Sequence, residues 1–141
     1  MRFFFIGSQS IIGSLDYKEI DKKYTFYTHN GSKVLKFSDN KIFDLINKLP
    51  IGELYLKSIN KDGTGQGLDF EILKKVKRNF TKRIILSGGI GNKDHLAEGF
   101  KNNKIDAVAT SNLFHFIGNG FSNSREYIIN KKLNLAIREK Y

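Results

Sequence analysis

Short apolar runs of strand type alternate with helical patterns along the whole 141-residue chain, and this order most constrains the fold. Strands this apolar are typical of a sheet that is covered on both faces, as in parallel βα units. Each of the four runs is followed by a segment whose apolar residues recur at helical spacing. The predicted strands cover residues 10–15, 53–59, 83–86 and 107–110, and the predicted helices cover residues 40–49, 69–80, 92–100 and 124–130.

The chain length limits how many such units are present. Four βα units of about 35 residues each account for the chain, whereas a closed eight-unit barrel takes roughly 250 residues. We therefore expect an α/β fold of four parallel βα units, equivalent to half of a (βα)8 TIM barrel. Residues 1–141 are expected to form this single half-barrel domain, and whether Met1 is the true start of the chain stays open.

A small β-hairpin is predicted as an insertion after the first strand. Residues 24–29 alternate aromatic and polar side chains, and residues 33–37 follow as a second short run. Asn30 and Gly31 lie between them and provide the sequence signal of a type I′ turn.

Composition excludes several classes of function. The chain has no Cys, which excludes disulfides, thiolate nucleophiles and Cys-based metal sites and favours a cytoplasmic location. The apolar run at residues 1–6 is too short for a signal-peptide core or a membrane span, so we expect no membrane partner.

Charge and histidine spacing give no sign of a nucleic-acid or metal site. The net charge is +10, but the basic residues occur singly or in pairs, as on the solvated faces of helices. We therefore expect no nucleic-acid partner. His29, His95 and His115 form no recognisable metal-ligand pattern and are interpreted as surface or packing residues. No metal and no cofactor are predicted.

The predicted strand ends carry the residues suited to chemistry. Asp16 follows the first strand, glycine-rich loops at residues 60–67 and 87–91 follow the second and third, and Thr110 and Ser111 end the fourth. In parallel α/β folds, ligands bind at this end of the strands. Glycines between a strand and a helix let backbone N–H groups contact a phosphate, although glycine also serves ordinary tight turns.

Four segments of the chain carry a family resemblance: GSQSIIGSLD at residues 7–16, GELYLKSINKDGTGQG at 52–67, SGGIGNKDH at 87–95 and ATSNLFHF at 109–116. Together they resemble one enzyme family, the cyclase subunit of imidazole glycerol phosphate synthase. They occur in the family's order and spacing and correspond to the C-terminal half of its (βα)8 barrel.

The resemblance implies a reaction of histidine biosynthesis. The family takes ammonia from a glutaminase and closes an imidazole ring on a phosphorylated ribotide, with two Asp residues as acid and base. Asp16 matches one of them, and the other belongs to the first strand of the full barrel, which has no counterpart here. Whether the chain acts as an enzyme is left open, and alone it is expected to be inactive or nearly so. Without the resemblance, Asp16 is equally well explained as a loop-start or capping residue.

The resemblance also assigns binding residues. Gly63, Gly89, Thr110 and Ser111 would hold one phosphate of the substrate, and Asp62 would lie near the reaction centre.

The resemblance assigns Glu53 as the ammonia gate, at the opposite end of the barrel. Without it, a solvated carboxylate at a strand start is the simpler interpretation of Glu53. The implied partners are a glutaminase subunit and either the missing N-terminal half-barrel or a second copy of this chain.

Some positions depart from the family pattern. Thr110 replaces a small apolar residue, and Asn60 lies where many members have Asp. Residues 27–31 and 118–123 look more like variant cyclases of bacterial surface-sugar amidation. Sugar amidation is therefore one alternative function. A second alternative is a non-catalytic half-barrel, because half a barrel with one phosphate site could bind a sugar phosphate or a partner half without turnover.

Overall fold

A six-stranded mixed sheet forms the centre of the structure, a computed structural model that describes residues 7–111, 113–114 and 118–135. The strand order is β3-β2-β1-β4-β5-β6. The strands are β1 (Ile12–Ile20), β2 (Lys23–Thr28), β3 (Lys33–Leu35), β4 (Glu53–Ser58), β5 (Arg83–Ser87) and β6 (Ala107–Ala109).

An α-helix precedes β4 and another joins β5 to β6, as the alternating pattern predicts, but only a short 3-10 helix lies between β4 and β5. Strands β1, β4, β5 and β6 pair in parallel with their neighbours, which confirms the predicted parallel sheet. The described helices are α1 (Asp39–Asn47), α2 (Lys93–Lys101) and α3 (Gly120–Asn130), with short 3-10 helices at Ser8–Ser10 and Glu71–Lys74. None of the helices in the described ranges is long and apolar enough to span a membrane.

The two faces of the sheet differ in burial. Leu54 and Leu56 of β4 and Leu86 of β5 are at most 1% exposed and belong to the hydrophobic core under the helices. Because successive side chains of a strand alternate between faces, Tyr55 and Lys57 lie on the other face, where they are only partly buried. That second face is open in the described chain.

The predicted hairpin is present, but it is continuous with the main sheet. Strands β2 and β3 pair antiparallel, and the turn between them has positive φ at Asn30 and Gly31, with Ser32 N–H donating to the His29 carbonyl at 3.2 Å. Strand β1 continues to Ile20 and pairs with β2 from Asp16 onward. Asp16 therefore lies within β1 and does not follow its end, which corrects the predicted strand boundary.

The helix predicted over residues 69–80 is wrong, because only the short 3-10 helix at Glu71–Lys74 forms there. The Asp69 carboxylate accepts the Glu71 N–H at 3.0 Å, a contact typical of a residue that begins a helical turn, but that turn ends at Lys74. Farther along, the Asn47 side chain binds the carbonyl of Asn79 and the N–H of Thr81 at 3.1 and 2.9 Å. These contacts tie residues 79–81, which are not helical, to the end of α1.

Candidate functional site

The loops that follow β4, β5 and β6 enclose a cavity of about 180 Å³. All five residues predicted at and beside the phosphate site line this cavity: Asp62, Gly63, Gly89, Thr110 and Ser111. The carboxyl ends of parallel strands meet at one edge of a sheet, which explains why segments distant in sequence converge here.

A close backbone contact joins the two glycine loops. Gly67 N–H donates to the Gly89 carbonyl at 2.7 Å, and Gly89 itself is buried with φ +96°. A Cβ atom at Gly89 would overlap the Gly67 carbonyl oxygen. Glycine is therefore required at this position both by its conformation and by the available space.

Gly63 occupies a different environment in the loop after β4. Its φ is +77°, and a Cβ atom built on it would meet no atom within 4 Å. Hydrogen bonds hold this loop on both sides of Gly63, with Asp62 N–H donating to the Ser58 carbonyl at 3.0 Å and the Thr64 hydroxyl to the Lys61 carbonyl at 2.8 Å.

Helix α2 begins directly after the second glycine loop. Asn92 caps it by accepting the His95 N–H at 2.9 Å, as the sequence predicts. The His95 ring accepts the Gly91 N–H through Nδ1 at 3.2 Å, so this histidine supports the loop. The N-terminus of α2 adds a partial positive charge beside the cavity.

The other two histidines give no further ligand set. His29 lies in the hairpin turn, where its Nδ1 is 3.1 Å from the Thr28 hydroxyl, and His115 is outside the described residues. Within the ranges that the structure describes, no group of three or more His, Asp or Glu side chains could hold a metal ion.

Asp16 lines a second cavity of about 350 Å³ that adjoins the first. Tyr55, Lys57 and Asp62 line both cavities. In the parallel register, Asp16 is level with Lys57 on β4, which in turn is level with Ser87 on β5. The predicted catalytic carboxylate thus lies beside the glycine-loop cavity, on the open face of the sheet.

Lys57 and Tyr55 are site residues that sequence reasoning missed. Lys57 Nζ lies 2.9 Å from an Asp62 carboxylate oxygen, and this hydrogen bond is the main cause that raises the pKa of Lys57. The Tyr55 hydroxyl donates to the Ser87 hydroxyl at 2.9 Å, across the floor of the first cavity. The alternation of β4 places both side chains on the same face as Glu53, and that alternation was the available signal.

Glu53 lies at the opposite end of β4, away from both cavities. It lines a separate depression of about 180 Å³ with Gln9, Gly52 and Arg83, among others. In the sheet register it is level with Ile12 and Arg83. Its position at the start of the strand agrees with the sequence prediction, and its role as a gate stays a prediction.

Asn60, the departure from the family pattern, has a local structural role. Its side-chain oxygen accepts the Glu19 N–H at 2.8 Å. This bond ties the extension of β1 to the loop after β4, so Asn60 holds the hairpin beside the site.

Comparisons with known proteins show the family of the chain. Residues 3–118 match the family described as histidine biosynthesis protein. Three similar relatives have names that describe them as subunits of imidazole glycerol phosphate synthase. That of Parasynechococcus marenigrum is 37% identical over 120 residues, 85% of this chain and 45% of the relative. The relative from Chlorobaculum parvum is 33% identical over 132 residues, which are 94% of this chain and 52% of the relative. The relative from Chlorobaculum tepidum is 32% identical over 131 residues, which are 93% of this chain and 52% of the relative. The chain spans about half the length of the curated relatives it matches.

Proposed function

Because the chain belongs to the histidine biosynthesis protein family, whose members have the TIM-barrel fold, we propose that it is the C-terminal half of an ammonia-using cyclase barrel. Its substrate would be a phosphorylated ribotide, and its product imidazole glycerol phosphate. The observation that carries this proposal is the convergence of Gly63, Gly89, Thr110 and Ser111 on one cavity, with Asp16 in the adjoining one.

The cavity after β4, β5 and β6 is suited to a phosphate group. Glycines have no Cβ atom and let the backbone approach a ligand closely, and the N-terminus of α2 adds positive potential at the same edge of the sheet. The Ser111 and Thr110 hydroxyls provide further donors. A ligand whose phosphate lies here would extend its organic part toward Asp16.

Asp16 is proposed as one member of an acid/base pair. Ring closure requires both removal and delivery of protons, so a carboxylate that accepts needs a second group that donates. The second Asp would come from the other half of the barrel. One missing proton-transfer group typically lowers the rate by a factor of about 100 to 10,000.

The sheet edges support a requirement for a second half. Residues Ile12 to Leu15 of β1 pair with β4 alone, and Ile12 is 55% exposed. At the other end of the sheet, β6 pairs with β5 only among the described strands. Unpaired edges that carry exposed apolar side chains favour association with another chain. We propose the N-terminal half-barrel or a second copy of this chain as that partner.

The glutaminase is proposed to bind at the far end of the strands. Glu53 lies there, partly exposed, in a depression bordered by Arg83 and Gln9. Ammonia released at this end would reach the reaction centre through the interior of the assembled barrel, with Glu53 as the gate. Glu53→Gln should then reduce glutamine-dependent turnover while turnover with added ammonium salt is retained.

Complementation tests the catalytic proposal. The full chain is mixed with the N-terminal half of the Chlorobaculum parvum relative, ammonium salt and the ribotide substrate, and product formation is followed. We expect little or no activity from either half alone and turnover in the mixture. Asp16→Asn should then lower turnover at least about 100-fold. Asp21→Asn is the matched control, because Asp21 is an exposed turn residue with positive φ, which Asn tolerates.

Three results would contradict the proposal in different ways. Robust activity from the chain alone would mean that another residue is the second acid or base. Turnover that survives Asp16→Asn would exclude this residue from the pair. Phosphate binding without any turnover in the mixture would favour the non-catalytic phosphate-binding half-barrel.

A further inference from the structure

One basic side chain lines the proposed phosphate cavity among the residues that the structure describes. Of the described residues that line the first cavity, Lys57 alone is basic and Asp62 alone is acidic. Lys61 lies next to the cavity, since its Cβ atom is 3.2 Å from a Cβ atom built at Gly89, but it is not among the lining residues. Selection of an anionic ligand at this cavity therefore depends on the balance between these two groups.

The Lys57–Asp62 ion pair contributes little to the stability of the fold. The two side chains are 38% and 45% exposed, and ion pairs in such positions are weakened by solvent and salt. The Lys57 ammonium is therefore able to exchange one anionic partner for another at small cost. Its pKa is raised by the hydrogen bond to Asp62, so the group stays charged through the neutral range.

We infer that Lys57 is the cation of the phosphate site: its ammonium group binds a phosphate oxygen of the ligand, while Asp62 competes with the phosphate for the same ammonium. This inference rests on the proposed function, since it assumes that the cavity takes a phosphate ester. It assigns to Lys57 the preference for a dianionic group over a neutral one. Lys57 also lines the cavity that contains Asp16, so the same ammonium fixes the ligand at the junction of the two cavities.

Two substitutions at this ion pair should change phosphate affinity in opposite directions. Lys57→Met removes a charged hydrogen-bond donor and should raise the Kd for inorganic phosphate about 10- to 100-fold. Asp62→Asn removes the competing negative charge and should lower the Kd at least about fourfold, the effect of unit charges about 5 Å apart in bulk water. If the ion pair were only structural, both changes would disturb the loop and both would weaken binding.

The experiment is a calorimetric titration of the full chain with inorganic phosphate at pH 7.5 and constant ionic strength. Lys57→Arg should restore most of the affinity lost in Lys57→Met, because it restores a cation. Lys74→Met is the matched control, since Lys74 is 70% exposed and pairs with Glu71 at 2.7 Å outside the cavity. Thermal unfolding of each variant verifies that it is folded.

The outcomes separate this inference from the proposed function. Phosphate binding by the wild type with an unchanged Kd in Lys57→Met would overturn the inference and leave the phosphate cavity in place. Weaker binding in Asp62→Asn would also overturn it. No binding by the wild type would overturn the phosphate site itself, and the role of Lys57 with it.

Discussion

Two glycines of the proposed phosphate cavity allow a matched test of its backbone geometry. Gly63 and Gly89 both have positive φ, but a Cβ atom at Gly63 meets no neighbour within 4 Å, whereas one at Gly89 overlaps the Gly67 carbonyl oxygen. The substitutions Gly63→Ala and Gly89→Ala therefore add the same methyl group to two environments. The difference between their effects measures the close approach of the two loops.

The expected magnitudes follow from these contacts. Gly63→Ala should cost about 1–2 kcal/mol, the strain of a left-handed conformation in a residue with a Cβ. Gly89→Ala adds a steric clash and breaks the 2.7 Å hydrogen bond from Gly67, which leaves a buried carbonyl without its partner. Overpacking and a lost buried hydrogen bond each cost about 1–3 kcal/mol. We expect Gly89→Ala to lose about 3 kcal/mol or more.

The assay is urea unfolding followed by circular dichroism, with the free energy of unfolding extrapolated to water. Phosphate should raise the thermal midpoint of the wild type by mass action and should have little effect on Gly89→Ala, because the displaced loop no longer forms the site. Equal losses of stability in the two variants, within the error of linear extrapolation, would refute the close loop contact. Equal stabilisation of wild type and Gly89→Ala by phosphate would show that the ion binds elsewhere.

Three further predictions concern the rest of the molecule. Among the described residues, the buried Tyr17 hydroxyl has no partner that meets hydrogen-bond geometry. Burial, and to a smaller extent the charge of Asp69, raises the pKa of Tyr17, so stability present at neutral pH should fall as pH rises above about 10. Tyr17→Phe should raise the free energy of unfolding by about 1 kcal/mol and reduce the loss of stability at alkaline pH. Tyr24→Phe should not stabilise the protein, because it removes the contacts of 3.3 and 3.4 Å between the Tyr24 hydroxyl and the Asp69 carboxylate. Light scattering at high concentration should find a dimer or larger species, and a monodisperse monomer would contradict the proposed pairing of sheet edges. Asn92→Ala should cost about 1 kcal/mol in urea unfolding, because it removes the cap of α2, and an unchanged stability would contradict that role.

The order of the elements could be predicted from sequence because strand and helix periods are local properties. Strands β4, β5 and β6 and helix α2 lie where apolar pattern and capping predict them. The helix over residues 69–80 failed because tertiary contacts decide that segment. Its apolar spacing is helical, but Asp69 accepts the Tyr24 hydroxyl of the distant hairpin and the Asn47 side chain binds backbone groups of Asn79 and Thr81. A pattern within one segment contains no information about such a partner.

The candidate site was only partly predictable because some of its contacts join segments that are distant in sequence. Glycines that follow strands are visible in one sequence, and the structure brings Gly63 and Gly89 to the same cavity. Lys57 lies inside a strand, where a lysine is most simply interpreted as a solvated residue. Its significance comes from the register that places it beside Asp16 and from its 2.9 Å contact with Asp62, neither of which is a local property.

Closure of the open sheet face would change the electrostatics of the site as well as add a second carboxylate. Lys57 and Asp62 keep 38% and 45% of their side-chain surface exposed in the described chain, so water screens the charges there. A partner that covers this face would lower the effective dielectric constant from about 80 toward about 20, and each charge interaction would become roughly four times stronger. Substrate binding and proton transfer at Asp16 both depend on such interactions, which are strongest where water is excluded. Assembly should therefore strengthen phosphate binding even when the partner's own acid/base residue has been removed. Such an increase in phosphate affinity would come from covering the face and not from adding the carboxylate.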